Sequence, residues 1–380
     1  MHIALLSEGL YPDKIGGIQK HSFLLMQELA REGIYVDVYT HTHEKYDIHC
    51  HIPSDLLPFL KLITLPFRVF HLYFPGHFLY ESWLRSKELN DLVKGSSQEY
   101  DFIYIQGFAG MAYLRAPLRA PTSILNFHGL EMYQRAASPK LKLQHIAFRP
   151  FVRYCIRLAD YNVSLGGNLT TILSNLANGK NILETPIGID ASWLCQDEVA
   201  EFVNEPRSYV FVGRFERRKG IQELHEAIRE IGATANFSMT FIGPVPETEQ
   251  LPFSNIRYVG LIRDQNVIRA TLLAADVLVC PSWSEGMPTV ILEGMSSGCA
   301  IIATDVGATA KLVSSNNGWL IPAGDVVALR SALESASCIS HFELVKMKRN
   351  SLSHVKNNFT WNKVIKLFLR QLQDINEVEA

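Results

Sequence analysis

The chain has 380 residues, 47% of them apolar and 19% charged. That composition is globular and long enough for two domains, each with its own core, and it excludes a disordered or low-complexity protein. A formal net charge of −2 argues against a nucleic-acid binder.

No apolar run reaches transmembrane length, because the greasiest stretch, Leu56 to Leu84, is interrupted by prolines and charges. Met1 to Leu6 reads as strand rather than as a leader. The six cysteines have no paired spacing and read as reduced thiols of a cytoplasmic protein.

In chain order, Ile3 to Leu6 predicts a buried strand, followed by a loop, Gly16-Gly17 and an amphipathic helix from about Ile18 to Arg31. A double glycine at a helix start lets backbone approach a phosphate closely, although glycines are common in turns. Tyr35 to Tyr39 predicts the next strand. His41, His43, His49 and His51 cluster after it, and His41 and His43 share a face of an extended segment. Neither fixed spacing nor a carboxylate partner marks a metal site there, and a polar loop is the simpler reading.

Leu56 to Leu84 is rich in Leu, Phe, Tyr and Pro, with Lys61 and Arg68 interspersed and Arg85 just beyond it. It can pack inside a domain or lie on a membrane surface. Asp101 to Ile105 and Ser123 to Phe127 predict strands, the second ending at His128-Gly129. A histidine at the carboxyl end of a parallel strand lies where such sheets bind ligands, but a plain turn would look the same. Met132 to Ala159 holds six Lys and Arg and no acidic residue; Arg149, Arg153 and Arg157 line one helix face, with a break expected near Pro150. Asp160 to Leu165 reads as strand, Asn168 to Ala177 as helix, and 191–206 as a polar linker.

The second half opens with a strand, Ser208 to Val212, then Gly213-Arg214-Phe215-Glu216-Arg217-Arg218-Lys219-Gly220 and a helix, Ile221 to Ile231. Arg214 and Lys219 flank a turn with a glycine at each end, a loop able to wrap a diphosphate. Strands at Thr240 to Ile242 and Ile256 to Gly260 and a helix at Asp264 to Leu273 lead to the stretch on which the chain turns, Cys280 to Gly298, CPSWSEGMPTVILEGMSSG. Apolar runs on both sides make it strand, loop, helix, strand, one unit of a parallel sheet. Pro288 suits the first helical turn and Gly298 a helix end. Glu285 lies in the loop, and Glu293 in the second helical turn leans back toward it. N–H groups near Met287 to Val290 offer donors to an anion. Donors beside two carboxylates suit a ligand with both phosphate and hydroxyls.

This block resembles the signature of the family 4 retaining glycosyltransferases of the GT-B fold, where a Ser-Glu-Gly loop, paired glutamates and a following glycine form one unit. The resemblance runs over nearly the whole chain. It implies an α/β architecture of two facing Rossmann-like domains with the donor cleft between them: 1–190 on the acceptor side, 207–360 on the nucleotide-sugar side, and a last helix, 361–380, crossing back onto the first. It implies a nucleotide diphospho-sugar donor and a saccharide or lipid-linked acceptor, in cell-surface polysaccharide or glycolipid synthesis. Gly16, Gly17, Gly213, Arg214, Lys219, Gly286, Met287, Pro288 and Thr289 would meet the donor, Ile262 its base and Glu293 its ribose. Glu285 and His128 would hold the sugar, and Arg214 and Lys219 would take the charge of the leaving diphosphate. Two departures stand out: Ile187 where the family often has Asn, and Lys311 where Glu is usual.

There is no Asp-x-Asp dipeptide, no G-x-G-x-x-G after a strand and no Walker loop. The missing Asp-x-Asp fits an enzyme that needs no metal, and the resemblance implies a hexosyltransferase-type enzyme without a cofactor that retains anomeric configuration. Another GT-B enzyme, such as a nucleotide-sugar epimerase or an inverting transferase, is the alternative, with a non-catalytic binding module behind it. Residues 55–157 carry thirteen Lys and Arg against seven Asp and Glu, beside the aromatic run Phe67 to Tyr80. That combination suits peripheral attachment to an anionic membrane face; the bland reading is core aromatics and solvated charges.

Overall fold

The structure is a computed structural model that describes residues 1–43, 47–67, 76–116, 121–179, 181–196, 201, 203–232 and 236–379. Arg68 and most of the run Phe67 to Tyr80 lie outside the described residues.

The first half contains β1 (His2–Ser7), α1 (Gly17–Arg31), β2 (Tyr35–Thr42), β3 (Leu60–Pro66), α2 (His77–Gly95), β4 (Phe102–Gln106), α3 (Met111–Leu114), β5 (Thr122–Asn126), α4 (Pro139–Leu158), β6 (Tyr161–Ser164), α5 (Asn168–Ala177) and β7 (Ile182–Glu184). The second contains β8 (Arg207–Val212), α6 (Ile221–Ile231), β9 (Phe237–Ile242), β10 (Ile256–Tyr258), α7 (Gln265–Leu273), β11 (Val277–Cys280), α8 (Thr289–Ser296), β12 (Ala300–Thr304), α9 (Thr309–Leu312), β13 (Gly318–Ile321), α10 (Val326–Cys338), α11 (His341–Asn358) and α12 (Trp361–Glu379). The strands form two parallel sheets, in the orders β3-β2-β1-β4-β5-β6-β7 and β10-β9-β8-β11-β12-β13. β4, β11 and β12 are buried throughout, because helices cover both sheet faces. Two Rossmann-like α/β domains are thus present, as the sequence predicts.

The last helix, α12, packs against the first half of the chain. Trp361, Val364, Ile365, Phe368, Leu372 and Ile375 recur at helical spacing and are buried against Ile3, Leu5, Met26 and Val38 of the first domain. Gly188 makes this packing possible, since a methyl group there would lie 2.5 Å from the Trp361 ring.

The greasy stretch contains β3, an edge strand of the first sheet whose alternation LKLITLP was masked by its apolar surroundings, and the start of α2. Three expectations need correction. Arg85 is buried between Glu8 (3.5 Å) and Glu81 (3.4 Å), so it adds no charge to a surface patch. α4 runs unbroken through Pro150 for 20 residues, started by Ser138, whose hydroxyl accepts from the Leu141 N–H. The supposed polar linker buries Trp193 and Cys195, and the Cys195 N–H donates to the Ser296 carbonyl at 2.8 Å.

His41, within β2, and His43, just beyond it, have separate partners. His41 faces Glu88 at 3.1 Å and His43 faces Asp13 at 2.8 Å. Among the described residues no three His, Cys, Asp or Glu side chains converge as metal ligands.

Candidate active site

Strand order reverses between β1 and β4 in one sheet and between β8 and β11 in the other. Ligands of open α/β sheets bind outside the carboxyl ends of the strands at such switch points. The loops leaving those ends are 8–16 and 107–110 in the first domain and 213–220 and 281–288 in the second. Lys20 of α1 reaches to 3.9 Å from Glu293 of α8. A methyl group on Gly286 would come within 3.0 Å of the His128 carbonyl oxygen.

Glu285 sits at the centre, only 7% exposed. Its Oε1 accepts from Lys219 Nζ at 2.6 Å and Ser282 Oγ at 2.8 Å, and its Oε2 from Arg218 Nη1 at 3.3 Å. Burial pushes its carboxyl up, but Lys219 and Arg218, with Ser282, outweigh that and hold it below its ordinary value. The loops close tightly for this. Gly220, at φ 68°, precedes α6, and any Cβ there would lie 1.8 Å from the Pro281 carbonyl oxygen.

Of the two cations expected at the diphosphate, the structure brings Lys219 to Glu285 but not Arg214. Arg214 is 69% exposed in its side chain and pairs with Glu216 at 3.0 Å. Arg218 and Ser282 belong to the same cluster and Lys20 faces Glu293 on α8, and sequence spacing did not single them out. Arg218 lies inside the basic run, where the turn after Glu216 decides which cation points inward.

α8 begins after Pro288, with Thr289 its first residue. Pro288 itself is the residue before the helix, one position earlier than the sequence suggests. Glu293, about one turn in from that end, is partly buried, and its desolvation pushes its carboxyl up to about 7, with Lys20 only partly opposing. Met287 is buried at the seam, its sulfur accepting from the Ile187 N–H at 3.3 Å. Ile262 packs partly buried against the seam-spanning core, close to the end of β10. A methyl group on Gly17 would meet no atom within 4 Å, so the start of α1 is open to a close neighbour, and Gly16 immediately precedes it. Gly213 follows β8 against the Phe211 ring and the Lys219 stem.

His128 adopts φ 60° at the end of β5. Its N–H donates to Asn126 Oδ1 at 2.8 Å, and its Nε2 lies 2.6 Å from Gln106 Oε1. The ring packs edge to face on His21 at 4.6 Å. Burial, then the charge of His21, drive its titration well below the usual imidazole range, so the ring is neutral.

Polar contacts hold the domains together around this centre. Gln134 Nε2 donates to the Glu285 carbonyl oxygen at 2.6 Å, and Arg135 to that of Ala323 at 2.6 Å. Glu131 pairs with Arg218 at 3.4 Å. Lys311, the departure from the family pattern, pairs with Glu184 of the first domain at 2.6 Å. A groove of about 480 Å³ opens alongside, lined in part by Gln134, Arg135, Asn168, Asp305 and Gly307.

Two parallel-sheet α/β domains meeting at a seam define the fold class, that of GT-B proteins. Comparison with known proteins agrees. Residues 15–181 match the family described as Glycosyltransferase Family 4, and residues 206–337 the one described as Glycosyl transferases group 1. The chain belongs to the family 4 glycosyltransferases of the GT-B fold.

The chain is 35% identical over 156 residues to the putative teichuronic acid biosynthesis glycosyltransferase TuaC of Bacillus subtilis, covering 39% of each chain. For the putative colanic acid biosynthesis glycosyltransferase WcaL of Salmonella typhimurium the identity is 25%, over 66% of this chain and 63% of WcaL. The chain thus spans less than two thirds of the length of either relative. Among solved structures, sucrose-phosphate synthase of Thermosynechococcus elongatus superposes with a TM-score of 0.77 at 20% identity, covering all of both chains. That likeness establishes the fold.

Proposed function

We propose that this chain is a hexosyltransferase that moves a sugar from a nucleotide diphospho-sugar to a saccharide or lipid-linked acceptor, with retained configuration and without a metal. The observation that carries the reading is the placement of Glu285, Lys219 and Arg218 at the start of α8, on the interdomain seam, with Glu293 on the same helix. Family membership supports it, as do the names of the relatives, which assign TuaC to teichuronic acid biosynthesis and WcaL to colanic acid biosynthesis.

In this reading residues 1–190 with the helix 361–380 form the acceptor-side domain and 207–360 the donor domain. The diphosphate lies between Gly16-Gly17 and the loop of Gly213, Arg214 and Lys219. It meets the N–H groups of α8 beyond Gly286, Met287, Pro288 and Thr289. Lys219 and Arg214 take up the charge that develops on the leaving oxygen, which is the part a metal ion plays elsewhere. Glu293 accepts from the ribose hydroxyls, Ile262 lies against the base, and Glu285 and His128 hold the sugar. The acceptor hydroxyl oxygen bonds to the anomeric carbon on the face from which the diphosphate oxygen departs, and its proton passes to that diphosphate. Attack by Glu285 through a covalent intermediate is disfavoured, because a carboxylate accepting from Lys219, Arg218 and Ser282 has its lone pairs engaged.

The basic face of α4 gives the acceptor reading its membrane component. Arg149, Arg153 and Arg157 line a groove of about 540 Å³ with Tyr133 and Tyr154. Leu143, Ile146 and Phe151 stand exposed on the same helix. Cations beside exposed apolar groups suit peripheral attachment to the anionic inner face of a cytoplasmic membrane. No helix among the described residues is long and apolar enough to cross one.

The test is turnover with a panel of nucleotide diphospho-sugars and saccharide acceptors, with and without EDTA, reading the anomeric configuration of the product by NMR. Release of the nucleotide with a retained glycosidic product, insensitive to EDTA, is expected. An inverted product, a free epimerised nucleotide sugar, or activity restored only by magnesium or manganese would overturn the corresponding part of the proposal.

A further inference from the structure

Gln106 ends β4 at the switch point of the first sheet and is 2% exposed. Its side-chain amide lies between two imidazoles, the buried His21 and the partly buried His128. Oε1 is 2.6 Å from His128 Nε2, and Nε2 is 3.2 Å from His21 Nδ1. An amide oxygen only accepts and an amide NH2 only donates. His128 Nε2 must therefore carry a hydrogen, and His21 Nδ1 must be bare. Both rings are neutral: burial lowers His21 to about 4, and burial, then His21, hold His128 well below its ordinary value. A neutral ring carries one N–H, so the hydrogen on His128 Nε2 leaves Nδ1 with a lone pair. That Nδ1 makes no hydrogen bond among the described residues.

We propose that Gln106 is a positioning residue that locks His128 as its Nε2–H tautomer and so presents Nδ1 as an acceptor to a hydroxyl of the transferred sugar. The inference rests on the reading of His128 as a sugar contact. The lock is two-sided. For His128 to switch tautomer the amide must turn over, and then His21 must switch as well, inside a core where its ring packs on both His128 and Trp361 at 4.6 and 5.7 Å. The consequence for specificity is chemical. A lone pair accepts a hydroxyl hydrogen, whereas a carboxylate or a deoxy position has none to give, so the site selects a donor sugar with a hydroxyl at the position that faces His128.

The tautomer is read directly by two-bond proton–nitrogen correlation spectra of the full chain labelled with 15N-histidine. The Nε2–H pattern for His128 is expected in the unmodified protein, and Gln106→Met should lose that single pattern. In turnover, Gln106→Met should lower kcat/KM by about ten-fold, the size of one charge-free buried hydrogen bond acting on the reacting complex. In a His128→Ala background the same change should add nothing, since its effect runs through His128. An Nδ1–H pattern in the unmodified protein, or an equal loss in both backgrounds, overturns the proposal. The spectrum of the unmodified protein needs neither a folded variant nor turnover, so it judges Gln106 even if the transferase reading fails its own assay.

Discussion

A glutamate as buried as Glu285 stays ionised only because two cations and a hydroxyl neutralise it, so removing a cation acts on the fold as well as on chemistry. Lys219→Ala should therefore lower both stability, by about 1–3 kcal/mol, and turnover. Arg214→Ala should leave stability unchanged while turnover falls, because Arg214 is solvent-facing and pairs only with Glu216 among the described contacts. Urea midpoints and initial rates measured on both variants check this, and equal effects of the two changes would refute the distinction. Glu293 is the opposite case. Burial raises its folded titration point to about 7, above the unfolded value. Between those two pH values the folded state binds the extra proton, so this group's contribution to stability is fully present below about pH 4.5 and is lost as pH rises through about 7. Glu293→Gln should flatten that decline in melting temperature between pH 5 and 7.5. An unchanged profile would show that the group does not titrate there.

At the scale of elements, α4 is the piece whose two faces have different work. Val152, Cys155 and Ile156 are buried in the first domain, while the other face carries the arginine groove and the exposed Leu143 and Ile146. Each basic residue near an anionic surface adds about 1 kcal/mol, so three together are worth a large change in binding. Sedimentation with anionic vesicles should capture the protein at low salt, release it at high salt, and fail for Arg149→Ser, Arg153→Ser and Arg157→Ser combined. Capture by neutral vesicles, or capture unaffected by the three changes, would contradict an electrostatic face. These arginines also have internal duties. Arg149 stacks over Tyr133 and donates to the Met132 carbonyl at 2.9 Å, which fixes the groove wall. The triple variant should accordingly lose some stability, and its melting temperature belongs beside the vesicle result.

For the molecule as a whole, one apolar cluster runs through the seam, including Leu125, Leu130 and Leu165 on one side and Met287, Ile291 and Ala308 on the other. Hydrogen bonds from Asn168 to Asp305 (3.0 Å) and from Gln134 to Glu285 close its rim. A ligand gripped by both walls stabilises the pair by mass action, by about 2.7 kcal/mol at a concentration one hundred times Kd. A thermal-shift screen should therefore give a rise with the nucleoside diphosphate of the true donor and little with the others. No rise with any of them would speak against a diphosphate site at this seam.

The sequence by itself determined the two-domain α/β plan, because apolar runs of strand length alternating with amphipathic helices allow few other solutions. It also placed Glu285 and Glu293 on one strand–loop–helix unit, since local spacing and a proline start fix that geometry. The family resemblance supplied the expectation for α12. What it could not decide was pairing. Arg214, Arg218 and Lys219 are equivalent as letters, and only the turn before Gly220, pressed against Pro281, aims two of them at Glu285 and the third at solvent. β3 was hidden because an edge strand inside an apolar stretch shows little alternation, and Arg85 counted as surface charge until Glu8 and Glu81 enclosed it. The Gln106–His128–His21 array joins three separate segments. Such contacts depend on which strand ends lie side by side, and strand order is a property of the packed sheet alone.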